Sequence, residues 1–177
     1  MNFDNAPSYK LYVPKQAVGA NLVYWDLFNA NNAESDLYLM SCLAVVSGAV
    51  AVTGELGVDL HLTRTTAVGT GGTAATNEGT AITAATFCGL EQQATLVPGG
   101  ITARLTPTGG ATAGALLSYR SVFTEETNSG AYISPTEFVG GVGFYKIPRG
   151  TGIRMLQGAV ASVGNIGFEA IFKLVLR

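Results

Sequence analysis

Apolar residues in this chain recur in short runs, and residues that favour turns separate the runs. The clearest alternation lies at residues 56–63, LGVDLHLT, where every second residue from Leu56 to Leu62 is apolar. The residues between them include Asp59 and His61. A period of two residues predicts a β-strand with one face on the core and the other face in water or at a polar interface.

The last third of the chain continues this pattern in four runs, at residues 116–123, 138–147, 153–156 and 166–177. Between the second and third runs lies PRGTG, residues 148–152, which has the composition of a turn. In the final run, alternate residues from Ile166 to Leu176 are apolar. Strands joined by turns in this way are typical of an antiparallel all-β domain.

Two further runs lie in the first third of the chain. Residues 21–28 are rich in aromatic and aliphatic side chains, and Asn-rich residues 29–32 end that strand. Residues 37–46 are apolar on both faces, which predicts a strand covered on both sides, in a sandwich or at a subunit contact. Residues 21–177 are therefore predicted to form one antiparallel β-sandwich domain, jelly-roll-like in its arrangement.

The N-terminal residues 1–20 differ from the rest and are predicted to form an extended arm. Pro7 and Pro14 flank a short apolar segment, and proline beside a strand indicates an edge or an unpaired segment. The arm is either a loosely packed terminus or a segment that crosses to a neighbouring subunit. For the second case we expect four residues to contact a partner: Tyr9, Leu11, Tyr12 and Val13.

Residues 65–115 are dominated by Gly, Thr and Ala, with Glu78, Glu91 and Arg104 as the only charges. Low charge argues against solvated disorder, and plausible strands lie at 82–87 and 101–105. TGGTAA at 70–75 is loosely echoed by TGGATA at 108–113. We interpret the segment as a β-rich excursion that packs on a partner or on the sheet. Within residues 68–79, we expect partner contacts from three residues: Val68, Thr70 and Thr73.

The composition of the chain favours association with other subunits and argues against binding to nucleic acid or to a membrane. The chain of 177 residues is 47% hydrophobic but only 12% charged, against about 25% charged in ordinary soluble domains. Apolar surface is therefore expected to be covered by other subunits. The net charge of -2, with scattered Lys and Arg, argues against binding to nucleic acid. The uncharged residues 37–54 fall short of the ~20 that a spanning helix needs, and no signal-peptide pattern is evident, so no membrane association is expected.

Few residues in the chain suggest a catalytic, metal or cofactor site. His61 is the only histidine and shares a strand face with Asp59, but a metal site needs more ligands. GTGGTA at 69–74 has the glycine spacing of a dinucleotide-binding loop without the helix that such a loop requires. Glu125 and Glu126 are adjacent, so on a strand they would point to opposite faces. We predict no catalytic, metal or cofactor site.

Cys42 and Cys88 are the two cysteines. A disulfide between them is possible, but two cysteines make no framework. A free cysteine usually behaves as a small buried hydrophobe, and we favour that interpretation.

Four segments resemble small structural proteins of tailed bacteriophages: RTTAVGTGGT at 64–73, TPTGGATAGA at 106–115, VFTEETN at 122–128 and GIRMLQGAVASVGNIGF at 152–168. The similarity spans roughly residues 59–168 and does not include the N-terminal arm. It implies a capsid decoration (cement) protein or another particle component, and it implies no enzymatic activity.

We therefore expect a virion protein on the capsid exterior, a homotrimer that binds the major capsid protein and bridges its neighbouring copies. A tail-associated receptor- or carbohydrate-binding module is the alternative, and it predicts an exposed aromatic cluster from Tyr132, Phe138 and Tyr145. A hydrolase is a third hypothesis. It requires that the fold bring a Ser, Cys or acid in a cleft within hydrogen-bond reach of His61.

Overall fold

The computed structural model describes residues 8–30, 35–47, 56–74, 76–77, 80–81, 101–124, 136–139 and 143–176. These residues form β-strands and no helix. The strands are β1 (Ser8–Ala17), β2 (Val23–Asn29), β3 (Ser35–Ser47), β4 (Leu56–Thr65), β5 (Thr73–Ala74), β6 (Thr76–Asn77), β7 (Thr80–Ala81), β8 (Ile101–Leu105), β9 (Ala113–Thr124), β10 (Thr136–Glu137), β11 (Tyr145–Ile147), β12 (Thr151–Gln157) and β13 (Asn165–Leu176). Within the described residues there is no helix long and apolar enough to cross a membrane.

The strands form two antiparallel sheets that pack together, which confirms the predicted all-β sandwich. Sheet A has the order β10-β3-β13-β1-β6-β7, and β11 also pairs with β3. Sheet B has the order β5-β8-β2-β12-β4-β9. The jelly-roll-like arrangement stays a prediction.

The core lies between the sheets, on the faces that the alternating residues predicted. In β13, alternate residues from Ile166 to Leu174 are buried, and in β4 the same holds from Val58 to Leu62. The Trp25 ring of sheet B meets the Phe172 ring of sheet A edge-on, with 6.5 Å between ring centroids. Burying a large apolar side chain stabilises the fold by about 1.5–3 kcal/mol, so these alternate positions specify which face turns inward.

Strand β3 is covered on both faces at its N-terminal end, as its apolar run predicted. Leu37, Tyr38 and Leu39 are consecutive and all buried. Cys42 further along the strand is buried and free.

The N-terminal segment is a strand of the sheet rather than an arm, over the residues that the structure describes. β1 pairs with β13 from Ser8 to Ala17, and Tyr12 also pairs with Thr76 of β6. The sequence predicts an edge or an unpaired segment at Pro14. In the fold the pairing register shifts between Val13 and Gln16, and Pro14 has no partner in the ladder. A bulge accommodates a residue that lacks an N–H donor inside a sheet.

The Gly, Thr and Ala-rich excursion adds strands to both sheets. β8 occupies the predicted residues 101–105 and pairs with β2 and β5. β6 and β7 belong to sheet A. The predicted strand at 82–87 lies outside the described residues. Over its described part, the excursion packs on the sheets of its own chain.

Candidate functional site

Two loops cross the outer face of sheet B and meet each other. Residues 66–72 follow β4, and residues 106–112 follow β8; together we call them the loop pair. The Thr70 N–H donates to the Gly109 carbonyl at 2.7 Å, and the Thr108 N–H donates to the Thr70 carbonyl at 2.9 Å. The two TGG sequences that echo each other in the chain therefore lie side by side in the fold.

Glycine is required in the loop pair where the backbone turns. Gly72 has a φ of 62° and Gly110 a φ of 85°, in the left-handed region that other residues rarely adopt. A β-carbon at Gly72 would also overlap the Leu105 carbonyl oxygen, and one at Gly110 would lie 2.7 Å from the Val68 carbonyl oxygen. These glycines let the two loops lie close to the sheet and to each other.

A row of three charged residues runs across sheet B beneath the loop pair. The strand register places Arg154 of β12 opposite Asp26 of β2, and Asp26 opposite Arg104 of β8. Cross-strand partners lie on the same face of a sheet. Arg104 Nη1 donates to the Gly71 carbonyl at 3.0 Å, and Arg154 Nη1 donates to the Ala111 carbonyl at 3.0 Å. Each arginine thereby holds one loop.

Asp26 is the buried member of this row, with 2% of its surface exposed. Neither carboxylate oxygen makes a hydrogen bond of good geometry, although the Gly69 N–H lies close enough to favour the ionised form. Burial raises the pKa of Asp26, and it outweighs the opposing effects of the Gly69 N–H and the two guanidinium groups. Gly69 lies directly against this carboxylate, because a β-carbon there would overlap Oδ2.

An open cavity of about 620 Å³ lies beside the loop pair. It is lined by residues 19–23, Gly72, residues 106–109, Ala111 and Arg154. Asn21 and Thr106 on its wall have φ angles of 58° and 45°, and they are the only non-glycine residues with positive φ in the described part of the chain. Such conformations persist where surrounding contacts hold them, and they cluster at functional sites. Here the Asn21 N–H donates to the Gly158 carbonyl and the Thr106 N–H to the Tyr24 carbonyl.

Gln157 at the end of β12 holds one wall of the cavity in place. Its fully buried Oε1 accepts the Tyr24 hydroxyl at 2.6 Å and the Gly19 N–H at 2.9 Å. Its Nε2 donates to the Val160 carbonyl at 2.9 Å. Burial raises the pKa of Tyr24 to about 12, so its hydroxyl remains a donor at neutral pH.

A second surface lies on the outer side of β4 and β9, at the edge of sheet B; we call it the β9 face. It carries the exposed side chains of Leu116, Tyr119 and Phe123, of which 57%, 45% and 51% is exposed. Between the two aromatic residues, the Ser121 hydroxyl donates to Asp59 Oδ1 at 2.6 Å. This hydrogen bond, with one from Tyr119, lowers the pKa of Asp59, which is therefore ionised at neutral pH.

The residues predicted as partner contacts fall into two groups. In β1, Leu11 and Val13 are buried in the core of their own domain, so they are not available to a partner; that part of the prediction is wrong for this fold. Tyr12 is 38% exposed on the same strand, and Tyr9 pairs with Phe172 in the ladder.

The three predicted contacts of the excursion are all exposed. Val68 and Thr70 lie in the loop pair, and Thr73 lies in β5 opposite Leu105. The geometry is compatible with contact to a partner, and their role stays a prediction.

The hydrolase hypothesis requires a Ser, Cys or acid within hydrogen-bond reach of His61, and the receptor-binding hypothesis requires an exposed aromatic cluster. His61 packs against the Tyr119 ring at 5.1 Å between centroids, while the Ser121 hydroxyl donates to Asp59 rather than to His61. No group of three metal-ligating side chains occurs among the described residues.

Of the predicted aromatic cluster, Phe138 is buried, the Tyr145 hydroxyl donates to the Leu117 carbonyl, and Tyr132 lies outside the described residues. Phe138 and Tyr145 therefore do not form an exposed platform.

The charged row was missed from the sequence, although a signal for it exists. Asp26 and Arg154 are lone charges within apolar strand segments, VYWDLF and GIRML. A lone charge in such a run indicates a residue with a specific partner, because an unpaired buried charge is costly.

Comparison with known proteins assigns no family: no family model matches this chain, and no curated protein matches it. What the protein does must be inferred from its residues and their geometry.

Proposed function

We propose that this protein is a capsid decoration (cement) protein, which binds the outside of a tailed-bacteriophage shell and bridges neighbouring major capsid subunits. The observation that carries the proposal is the β9 face, where Leu116, Tyr119 and Phe123 are exposed along an edge strand. An exposed apolar row on a sheet edge promotes association, and soluble monomers usually avoid it.

The low charge of the chain supports the same conclusion. With 12% charged residues, the surface can be covered by a partner without removing many ions from water. Each Å² of apolar surface buried contributes about 25 cal/mol, and a stable interface buries about 1,000 Å² or more. A homotrimer would present three copies of the β9 face, so weak individual contacts would combine.

The segments that resemble phage structural proteins also lie close together in the fold. Residues 64–73 and 106–115 contain the whole loop pair, and residues 152–168 contain most of β12 with Arg154. Three of the four similar segments thus surround one region of sheet B. We take Val68 and Thr70 of that region as a second contact with the capsid.

Binding of the purified chain to shells that lack it tests the proposal. The native chain is expected to pellet with the shells at a saturating ratio, and electron micrographs are expected to show density on the shell lattice. The double variant Tyr119→Ser, Phe123→Ser is expected to lose about tenfold or more in affinity, because hot spots of interfaces are commonly aromatic. Phe144→Ser, at an exposed phenylalanine next to β11 of the other sheet, is the matched control and is expected to bind like the native chain.

Two results would overturn the proposal. One is a native chain that stays in solution as a monomer with no affinity for shells. The other is density confined to the tail.

The second candidate is a tail-associated receptor- or carbohydrate-binding module. It is favoured by the arrangement of the β9 face, where two exposed aromatic rings flank the ionised Asp59 and the Ser121 hydroxyl. Aromatic faces and a few placed polar groups together suit a polyhydroxylated ligand. Saturable binding of host-surface glycans, lost in the same double variant, would select this candidate over the first.

A further inference from the structure

We propose that the cavity beside the loop pair binds a small organic oxyanion, a molecule with a carboxylate or phosphate group, through the Arg154 guanidinium. This site is separate from the β9 face and does not depend on capsid binding. The cavity volume of about 620 Å³ lies within the roughly 300–1,000 Å³ of small-molecule sites.

Charge is the first argument. Among the described residues that line the cavity, Arg154 is the only charged one and none is acidic. In the row beneath, two guanidinium groups flank the single carboxylate of Asp26, so one positive charge is in excess. Asp26 is buried against Gly69 and does not line the cavity. The positive charge in excess is therefore accessible from the cavity, through Arg154.

Hydrogen-bonding capacity is the second argument. A guanidinium group has five N–H donors in a planar fork. Arg154 uses Nη1 on the Ala111 carbonyl at 3.0 Å and makes a long contact from Nε to the Thr63 hydroxyl at 3.4 Å. Donors on this fork remain for a ligand, and the fork matches the paired oxygens of a carboxylate or phosphate.

The rigidity of the cavity wall is the third argument. The left-handed residues Asn21 and Thr106 are each fixed by a backbone hydrogen bond. The Thr70–Gly109 bridge joins the two loops, and Gln157 fixes Gly19. A wall held by so many contacts is formed before the ligand arrives, which reduces the entropy lost on binding.

Titration calorimetry on the full chain at constant ionic strength tests the site. The probes are D-glucuronate and D-glucose 6-phosphate, with D-glucose as the neutral control. At least one anion is expected to bind saturably, and D-glucose is expected not to bind. Which anion binds distinguishes a carboxylate ligand from a phosphate ligand.

Variants then locate the binding. Arg154→Gln is expected to weaken the anion roughly tenfold or more, and Arg154→Lys less, because lysine keeps the charge but loses the fork. Arg120→Gln is the matched control: it removes one exposed arginine of β9, which does not line the cavity, and binding is expected within about threefold of native.

A second variant tests the site without changing Arg154, in case Arg154→Gln impairs folding. Ala20→Trp adds bulk to the cavity wall without changing Arg154, and it is expected to abolish binding while circular dichroism stays native. The proposal is overturned if neither anion binds saturably up to about 10 mM. It is equally overturned if Arg154→Gln or Ala20→Trp, folded by circular dichroism, binds as tightly as the native chain.

Discussion

Replacing Gln157 by leucine is expected to destabilise the protein by about 2–4 kcal/mol, although the two side chains are similar in size. The Gln157 side chain is fully buried and accepts two hydrogen bonds, from the Tyr24 hydroxyl and from the Gly19 N–H. Leucine leaves both donors without an acceptor. Each buried donor that loses its partner costs about 1–3 kcal/mol, and because the Gly19 N–H is only partly buried, we take the lower part of the combined range.

The partner substitution, Tyr24→Phe, is expected to cost less. It removes one donor, while Gln157 Oε1 keeps the Gly19 N–H at 2.9 Å. The loss is expected to be about 0.5–1.5 kcal/mol. In the Gln157→Leu background the sign reverses: Tyr24→Phe then removes an unsatisfied hydroxyl, so the double variant is expected to be more stable than Gln157→Leu alone.

Urea unfolding of the four proteins in this cycle measures the coupling between the two side chains. The matched control is Gln16→Leu. Gln16 Nε2 makes one long hydrogen bond, 3.3 Å, to the Tyr24 carbonyl, and its loss is expected to cost under about 1 kcal/mol. The proposed role of Gln157 is wrong if the two substitutions add within about 0.5 kcal/mol, or if Gln157→Leu costs no more than Gln16→Leu.

The same tyrosine gives a second measurement at alkaline pH. Burial raises the pKa of Tyr24 to about 12 in the folded state, while in the unfolded chain it is about 10. Between these values the folded state binds more protons, so stability is fully present below about pH 10 and falls as the pH rises towards 12. The loss attributable to Tyr24 is up to about 3 kcal/mol. Tyr24→Phe is expected to abolish this part of the loss; an identical pH dependence in both proteins would contradict the assigned pKa.

Three further predictions concern buried groups near the site and in the core. Burial raises the pKa of Asp26, so just above the ordinary aspartate range the folded state binds more protons than the unfolded chain, and stability falls as the pH rises. Asparagine cannot titrate, so the unfolding free energy of Asp26→Asn, measured relative to that of the native protein, is expected to increase from about pH 4 to pH 7. A decrease would contradict this. Gly69→Ala places a β-carbon 2.9 Å from Pro107 and in overlap with Asp26, and it is expected to destabilise the protein by about 1–3 kcal/mol in thermal unfolding. Gly109→Ala is the control: its β-carbon would lie 3.4 Å from Thr70 Oγ1, and it is expected to destabilise the protein clearly less. Equal losses of stability would refute the packing argument. Burial also raises the pKa of the Cys42 thiol, so in a Cys88→Ser variant a disulfide reagent is expected to label Cys42 only as fast as the protein unfolds, and rapid labelling of the native state would show that the thiol is accessible.

The alternation of apolar residues predicts the strands that have one buried face. In β4 and β13 the alternation of apolar residues follows directly from burial, because successive side chains point to opposite faces. β8 was predicted at 101–105 from residue type between glycine-rich stretches, and it lies there in the fold. A local sequence pattern is sufficient to predict a strand where buried residues recur at every second position.

The position of β1 could not be predicted from local patterns. Its partner is the far end of the chain: Tyr9 pairs with Phe172 and Leu11 with Ala170. Pro14 predicts an edge or an unpaired segment, and it is unpaired in the fold, but the register shift that leaves it unpaired is not visible in the sequence. A bulge depends on how two distant strands fit together, so it is known only once both are placed.

The charged row and the loop pair depend on strand order in the same way, and this dependence also makes them robust. Because strands β8, β2 and β12 are neighbours, Arg104, Asp26 and Arg154 fall into one line, although 78 and 50 residues separate Asp26 from Arg104 and Arg104 from Arg154 in sequence. A slip of one residue in this register would turn the charged residues into the core and Trp25 and Met155 out of it. The free energy that buries those two core residues therefore also fixes the row, and with it the two loops that Arg104 and Arg154 hold. Substitutions at the exposed, non-glycine positions of the loops are consequently expected to change what the cavity binds while leaving the sandwich intact.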